Sequence, residues 1–127
     1  MSARRRALVL AVALFAALLL AAPVAARTPT KTFTTKIFVS EKFPAFHGAL
    51  HSKSSFCVAE RPLKVYRLAH GRSVLLGHRR SNPDGTWKVP IGNKLVSGAY
   101  YVEAPLYGSA ALGISCKPAR SKIVPVD

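Results

Sequence analysis

After residue 32 the sequence is a succession of short runs rich in Val, Ile, Tyr, Phe and Thr, broken by Gly, Pro, Asn and Ser. That rhythm constrains the fold more than any other feature of the chain. Short strands separated by turn formers build antiparallel sandwiches or barrels. No segment of useful length keeps a 3.6-residue apolar period, which argues against parallel βαβ units. Seven strands are expected, over Phe33–Ser40, Phe46–His51, Leu63–Ala69, Ser73–Arg80, Thr86–Pro90, Ala99–Leu106 and Ser121–Val126. The fold class is therefore all-β, a single antiparallel β-sandwich.

The connections carry their own turn chemistry. "AHGRS" puts Gly71 where a tight hairpin uses positive φ. "NPDG" places Pro83 second and Gly85 fourth, the positions a type I turn favours. Beyond that turn, Trp87 and Val89 alternate with Lys88, so one face is apolar and the other wet. In "AYYVEAPLY", Tyr100, Val102 and Ala104 share one face, while Tyr101 and Glu103 share the wet one. The expected core is Phe46, Leu50, Val65, Leu76, Trp87, Val89, Tyr100, Val102 and Val124. "YGSAALGISCKP" (107–118), rich in small residues, is expected to be an irregular loop that delivers Cys116 to its partner.

The N-terminus is read as a cleavable secretory signal peptide, residues 1–26. "MSARRR" is a basic start, 16 apolar residues follow, and Val24 and Ala26 are the small residues of a cleavage site. The apolar run is shorter than the roughly 20 residues a spanning helix needs. The remaining domain, 27–127, begins with a polar, flexible lead-in, "RTPTKT" (27–32). Its expected location is secreted and extracellular, with the periplasm or cell envelope as the alternatives. In that oxidising setting Cys57 and Cys116 are expected to form a disulfide. Closing a loop of this length stabilises the fold by about 4 kcal/mol in the chain-entropy treatment.

"SNPDGTWKV" is similar to the Thr/Ser-Asp/Asn-x-x-Gly-x-aromatic-x-hydrophobic signature of transthyretin-like, carboxypeptidase-regulatory-like β-sandwich domains. "GAYYVEA" resembles their Gly-x-Tyr-x-Val strand, and "FHGALHS" their opening strand with its central Gly. The wider frame, with Arg61 and Val65-Tyr66-Arg67 between the cysteines, resembles small secreted bacterial proteins of uncharacterised function. The resemblance covers about 46–126 and implies a transthyretin-like or immunoglobulin-like sandwich more than a function, since such sandwiches serve as accessory modules, adhesive stalks and carriers. Some related stalks cross-link a Lys to an Asn on the last strand. Here "SKIVPVD" holds no Asn, which argues against that version.

Charge is the remaining clue. Three of the 19 basic side chains leave with the signal peptide, so 16 face five acidic ones, a net charge near +11. Such a potential suits wall polymers, acidic polysaccharide, an anionic lipid surface or free nucleic acid, although no nucleic-acid reading motif is present. Lys64, Arg67, Arg72, Arg79 and Arg80 fall on two neighbouring strands and their hairpin, a candidate basic surface. Tyr66, Tyr101 and Tyr107 would add stacking area for sugars or bases. The alternative is a dispersed, solvated coat of charge.

Catalytic and metal chemistry find little footing. No pair of carboxylates stands out for acid–base work, and no nucleophile elbow is present. His47 and His51 would lie roughly 13 Å apart along a strand, too far to share zinc. Asp84 beside Asn82 resembles a calcium loop, yet one carboxylate is too few. No cofactor and no enzyme activity are expected. The expected function is a non-catalytic extracellular binding or structural module, attached to an anionic envelope polymer or polysaccharide. Its competitors are a small hydrolase or ligand carrier with a loop-built site, and a self-associating adhesive or pilus-like subunit.

Overall fold

A computed structural model of the chain describes residues 29–41, 45–91 and 96–127. The expected signal peptide lies outside the described residues, as do Arg27, Thr28 and part of the 91–98 connection.

Eleven strands and one 3-10 turn make an all-β fold of three sheets among the described residues. The three-stranded sheet is β2 (Thr35–Glu41), β3 (Ala45–Ser52) and β6 (Thr86–Pro90), in that order and antiparallel. The five-stranded sheet runs β10 (Ala119–Arg120), β7 (Gly98–Ala104), β4 (Pro62–Ala69) and β5 (Arg72–Arg80), with β11 (Val124–Val126) also on β7. These two sheets enclose the core and form the sandwich.

Period-two alternation decides what goes inside. From the three-stranded sheet come Ile37, Phe46, Leu50, Trp87 and Val89, and from the five-stranded sheet Leu63, Val65, Tyr100, Val102, Ala104 and Val124. Eight of the nine expected core residues are buried, and Leu76 is half-buried against their edge. The cause is local. A bulge between Val65 and Tyr66 pairs Val65 with Gly77 but Tyr66 with Leu75, so Leu76 is the extra residue on β5.

The turns follow their chemistry. Gly85 takes φ +87° and donates its N–H to the Asn82 carbonyl at 2.9 Å. Between β4 and β5, both His70 (φ 51°) and Gly71 (φ 72°) are left-handed, the geometry of a type I′ hairpin. Where β10 and β11 leave a gap, Ser121 takes over the pairing with β7. Its N–H donates to the Val102 carbonyl at 2.8 Å, and its hydroxyl accepts from the Val102 N–H at 2.9 Å.

A third, small sheet departs from the sequence expectation. β1 (Lys31–Phe33) pairs in parallel with β9 (Ile114–Cys116), which pairs antiparallel with β8 (Tyr107–Ser109). The polar "lead-in" therefore ends in a strand, and the 107–118 "loop" is mostly a hairpin. Side-chain composition misled here because the ladder needs only backbone groups. Lys31 donates its N–H to the Gly113 carbonyl at 2.8 Å, and Lys117 donates to that of Phe33 at 2.9 Å. The parallel pair is also possible without a crossover helix, because the whole sandwich separates β1 from β9 in sequence. The expected strand Ser121–Val126 is shorter, Val124–Val126, and a two-residue strand holding Arg120 lies just before its expected start.

Cys57 and Cys116 are disulfide-bonded, joining the 3-10 turn (Ser55–Cys57) to β9, and among the described residues no free cysteine remains.

Trp87 is buried, yet among the described residues its indole N–H has no acceptor. Its contribution is thus one of packing, and Trp87→Ala is expected to cost about 3–5 kcal/mol in urea unfolding. Trp87→Phe, which removes the unpaired N–H together with some volume, should cost clearly less. Equal costs for the two would contradict this reading.

Candidate binding surface

Strand register sorts the expected surface residues into groups. On the outer face of the five-stranded sheet, Leu75, Tyr66 and Tyr101 are cross-strand neighbours in one row. The Tyr66 and Tyr101 rings stack at 5.2 Å with 18° between their planes. Arg120 covers the other side of Tyr101, its guanidinium carbon 4.3 Å from the ring centroid. The Tyr101 hydroxyl donates to Ser73 Oγ at 2.6 Å. Tyr101 is consequently 2% exposed, although alternation put it on the wet face. It supports the row and offers little surface itself. Tyr66 is the half-buried outer leaf.

Burial pushes the Tyr66 phenol above its ordinary pKa, Glu103 and Tyr101 push it further, and Arg120 opposes them. The hydroxyl therefore stays protonated across the physiological range and can both donate and accept. Arg120 also reaches Glu103 at 3.7 Å, the single ion pair among the described residues. Since both partners are partly exposed, this pair orients the guanidinium more than it stabilises the fold.

Lys64 stands beside this row, paired in register with Glu103 on one side and His78 on the other. Lys64, His78, Arg79 and Arg80 line one shallow depression of about 390 Å3. Arg80 donates to the Glu60 carbonyl at 2.9 Å, and Arg79 to that of His78 at 3.2 Å, which fixes both guanidinium groups.

The other expected members lie elsewhere. Arg67 pairs in register with Tyr100 on the core-facing side, and its buried Nε has no partner among the described residues. Arg72 sits at the hairpin, opposite Ala69. Tyr107 is half-buried, stacked on Phe56 at 5.2 Å, with the Arg61 guanidinium 5.7 Å from its ring. The five cations thus form no single patch. Three of them cluster with His78, and Tyr107 belongs with Phe56 and Arg61, away from that cluster. Arg72, Arg79 and Arg80 also lie on an edge strand of the five-stranded sheet, where charge hinders pairing with another chain.

Two residues outside the expected set matter more than these. Arg120 completes the aromatic row. Its signal in sequence was weak, because it stands one residue before the strand that alternation suggests. Arg61 is fully buried and, among the described residues, has no carboxylate partner. Its η nitrogens donate to Thr35 Oγ1 (3.2 Å) and to the carbonyls of Cys57 (3.1 Å), Pro105 (2.9 Å) and Lys117 (3.0 Å). Burial lowers its pKa, and Tyr107 partly restores it. An arginine four residues after a cysteine and directly before a proline, in "FCVAERPL", was the available hint.

His47 and His51 lie on the outer face of the three-stranded sheet, in register with Lys88 and Lys36 respectively. Among the described residues, no three His, Cys, Asp or Glu side chains gather as a metal site would require. Compared with known proteins, the chain matches no family model, no curated protein and no solved structure.

Asp84 is accounted for by its turn. Its Oδ1 accepts from the Thr86 hydroxyl at 2.6 Å and the Thr86 N–H at 2.9 Å, and these bonds lower its pKa from the ordinary 3.8. A carboxyl whose pKa is lower in the folded state stabilises the fold above its unfolded pKa, and the effect is lost as pH falls through the folded value. Asp84→Ala should therefore lower the urea midpoint at neutral pH, and the difference should vanish in strong acid. A difference that persists unchanged into strong acid would refute this role.

Proposed function

We propose that this chain is a secreted, non-catalytic β-sandwich module of transthyretin-like type that attaches to an anionic envelope polymer or polysaccharide. The surface used is the outer face of the five-stranded sheet. The observation that carries the reading is the row Leu75–Tyr66–Tyr101–Arg120 with Lys64 and His78 beside it. A flat polar chain finds there an apolar leaf in Tyr66 and Leu75, a phenol that donates and accepts, and cations that meet its charges. Leu75 is half exposed, and Leu68 nearby is 38% exposed, so the apolar part is accessible.

Rigidity adds to this reading. Tyr101 is clamped between Tyr66 and Arg120, and its hydroxyl is tied to Ser73, so ordering the row costs little on binding. Self-association along β5 is the weaker reading, because three arginines lie on that edge. An intermolecular disulfide would also have to break the Cys57–Cys116 bond.

The account requires electrostatics to act through this face. Retention on isolated envelope polymer should fall steeply between 0.1 and 1 M salt, as the screening length shrinks from about 10 Å to about 3 Å. Lys64→Gln and Tyr66→Ala should each weaken retention at low salt, whereas Lys122→Gln, at an exposed position elsewhere, should not. Salt-independent retention, or equal loss from all three variants, would reject the proposal.

A further inference from the structure

A second recess lies on the other sheet, where β1 leaves the sandwich. It measures about 500 Å3, within the roughly 300–1,000 Å3 range of small-molecule sites. Its rim is basic. Lys36 on β2 and His51 on β3 are direct register partners, and Lys53 follows two residues later. Thr32, Thr34 and Ser52 add three hydroxyls. Ser52 Oγ accepts from the Ser54 N–H at 3.3 Å, which leaves its own hydrogen free to donate. The Phe38 ring meets His51 edge-on, with 4.9 Å between centroids, and so fixes the imidazole. Among the described residues, no acidic side chain lines the recess.

Basic groups opposite one another on a sheet face work against each other when both are charged. The usual remedy is a carboxylate, and the single ion pair among the described residues lies on the other sheet, at Arg120–Glu103. An exogenous anion would supply that missing charge. Three nitrogen donors and three hydroxyls exceed what the two oxygens of a carboxylate can accept, but suit the oxygens of a tetrahedral oxyanion. The space also exceeds what a free phosphate fills.

We infer that the Lys36–His51–Lys53 recess is a binding site for a tetrahedral oxyanion, namely a phosphate or sulfate, borne on a sugar or polyol. Lys36 and Lys53 meet the charge, His51 contributes a ring N–H, and the threonine and serine hydroxyls fix the orientation. The rest of the recess holds the carrier of the ester. This site lies on the opposite sheet from the tyrosine row, so it stands or falls separately from the function proposed above.

Amide NMR titration at constant ionic strength tests it, with inorganic phosphate, glycerol phosphate and glucuronate as the probes. Saturable shifts at residues 32–36 and 51–53 are expected with both phosphates, and weak, unsaturated ones with glucuronate. Tighter binding of glycerol phosphate would assign the site to an ester on a carrier. Tighter binding of inorganic phosphate would confirm the oxyanion but overturn the role of the carrier. Lys36→Gln with Lys53→Gln should weaken phosphate binding about tenfold or more, as expected for loss of hydrogen bonds to a charged group. The charge-matched pair Lys88→Gln with Lys122→Gln should leave it unchanged. Unsaturated shifts spread over every basic residue, glucuronate binding as tight as phosphate, or equal loss in both double variants would overturn the inference.

Discussion

The guanidinium of Arg61 is the interaction on which the arrangement of the three sheets depends. Taking a cation out of water costs several kcal/mol even after relaxation, and no carboxylate offsets that cost here. Four neutral oxygens do so instead, one on each η N–H, while Nε stays unpaired. Those oxygens belong to β2, to the 3-10 turn, to the residue after β7 and to the residue after β9. Only a planar fork of fixed geometry reaches four such segments at once; an ammonium on a flexible stem does not.

The disulfide runs beside this clamp. Cys57 supplies both a sulfur to the bridge and a carbonyl to Arg61, and Cys116 directly precedes Lys117, whose carbonyl Arg61 also holds. The small sheet of β1, β8 and β9 needs such fastening, because Cys116 is the one fully buried side chain in those strands. Tyr107 extends the same centre outward through Phe56. Because these fastenings lie inside, the outer sheet faces are free to carry charge. One presents the tyrosine row with Lys64, and the other the recess around Lys36. A chain with so large a basic excess tolerates this because the cations are spread over opposite sides of the sandwich, which limits their mutual repulsion.

The two main sheets were legible in sequence because each needs an apolar face. Phe46, Leu50, Trp87, Val89, Tyr100 and Val102 announce themselves by alternation, and Gly71 and Gly85 announce the turns between them. Where a strand buries nothing, that signal disappears. β1 reads as polar lead-in and β8–β9 as a loop, since their ladders rest on backbone groups and on a distant cysteine. The candidate surface was legible only in part for a related reason. Alternation tells which face a side chain leaves from, but not what then covers it. Tyr101 leaves on the wet face and is buried by Tyr66 and Arg120. The burial of Arg61 leaves no pattern in the sequence, since its four acceptors are scattered from Thr35 to Lys117.

The claim that Arg61 holds the small sheet to the sandwich is tested most directly by amide hydrogen exchange on Arg61→Lys with the disulfide intact. Lysine keeps the charge but cannot span four acceptors. The account predicts a selective loss of protection in Tyr107–Ser109 and Ile114–Cys116, with β3, β4 and β7 changing much less. Protection that stays as in the parent protein, or falls equally in every strand, would contradict it.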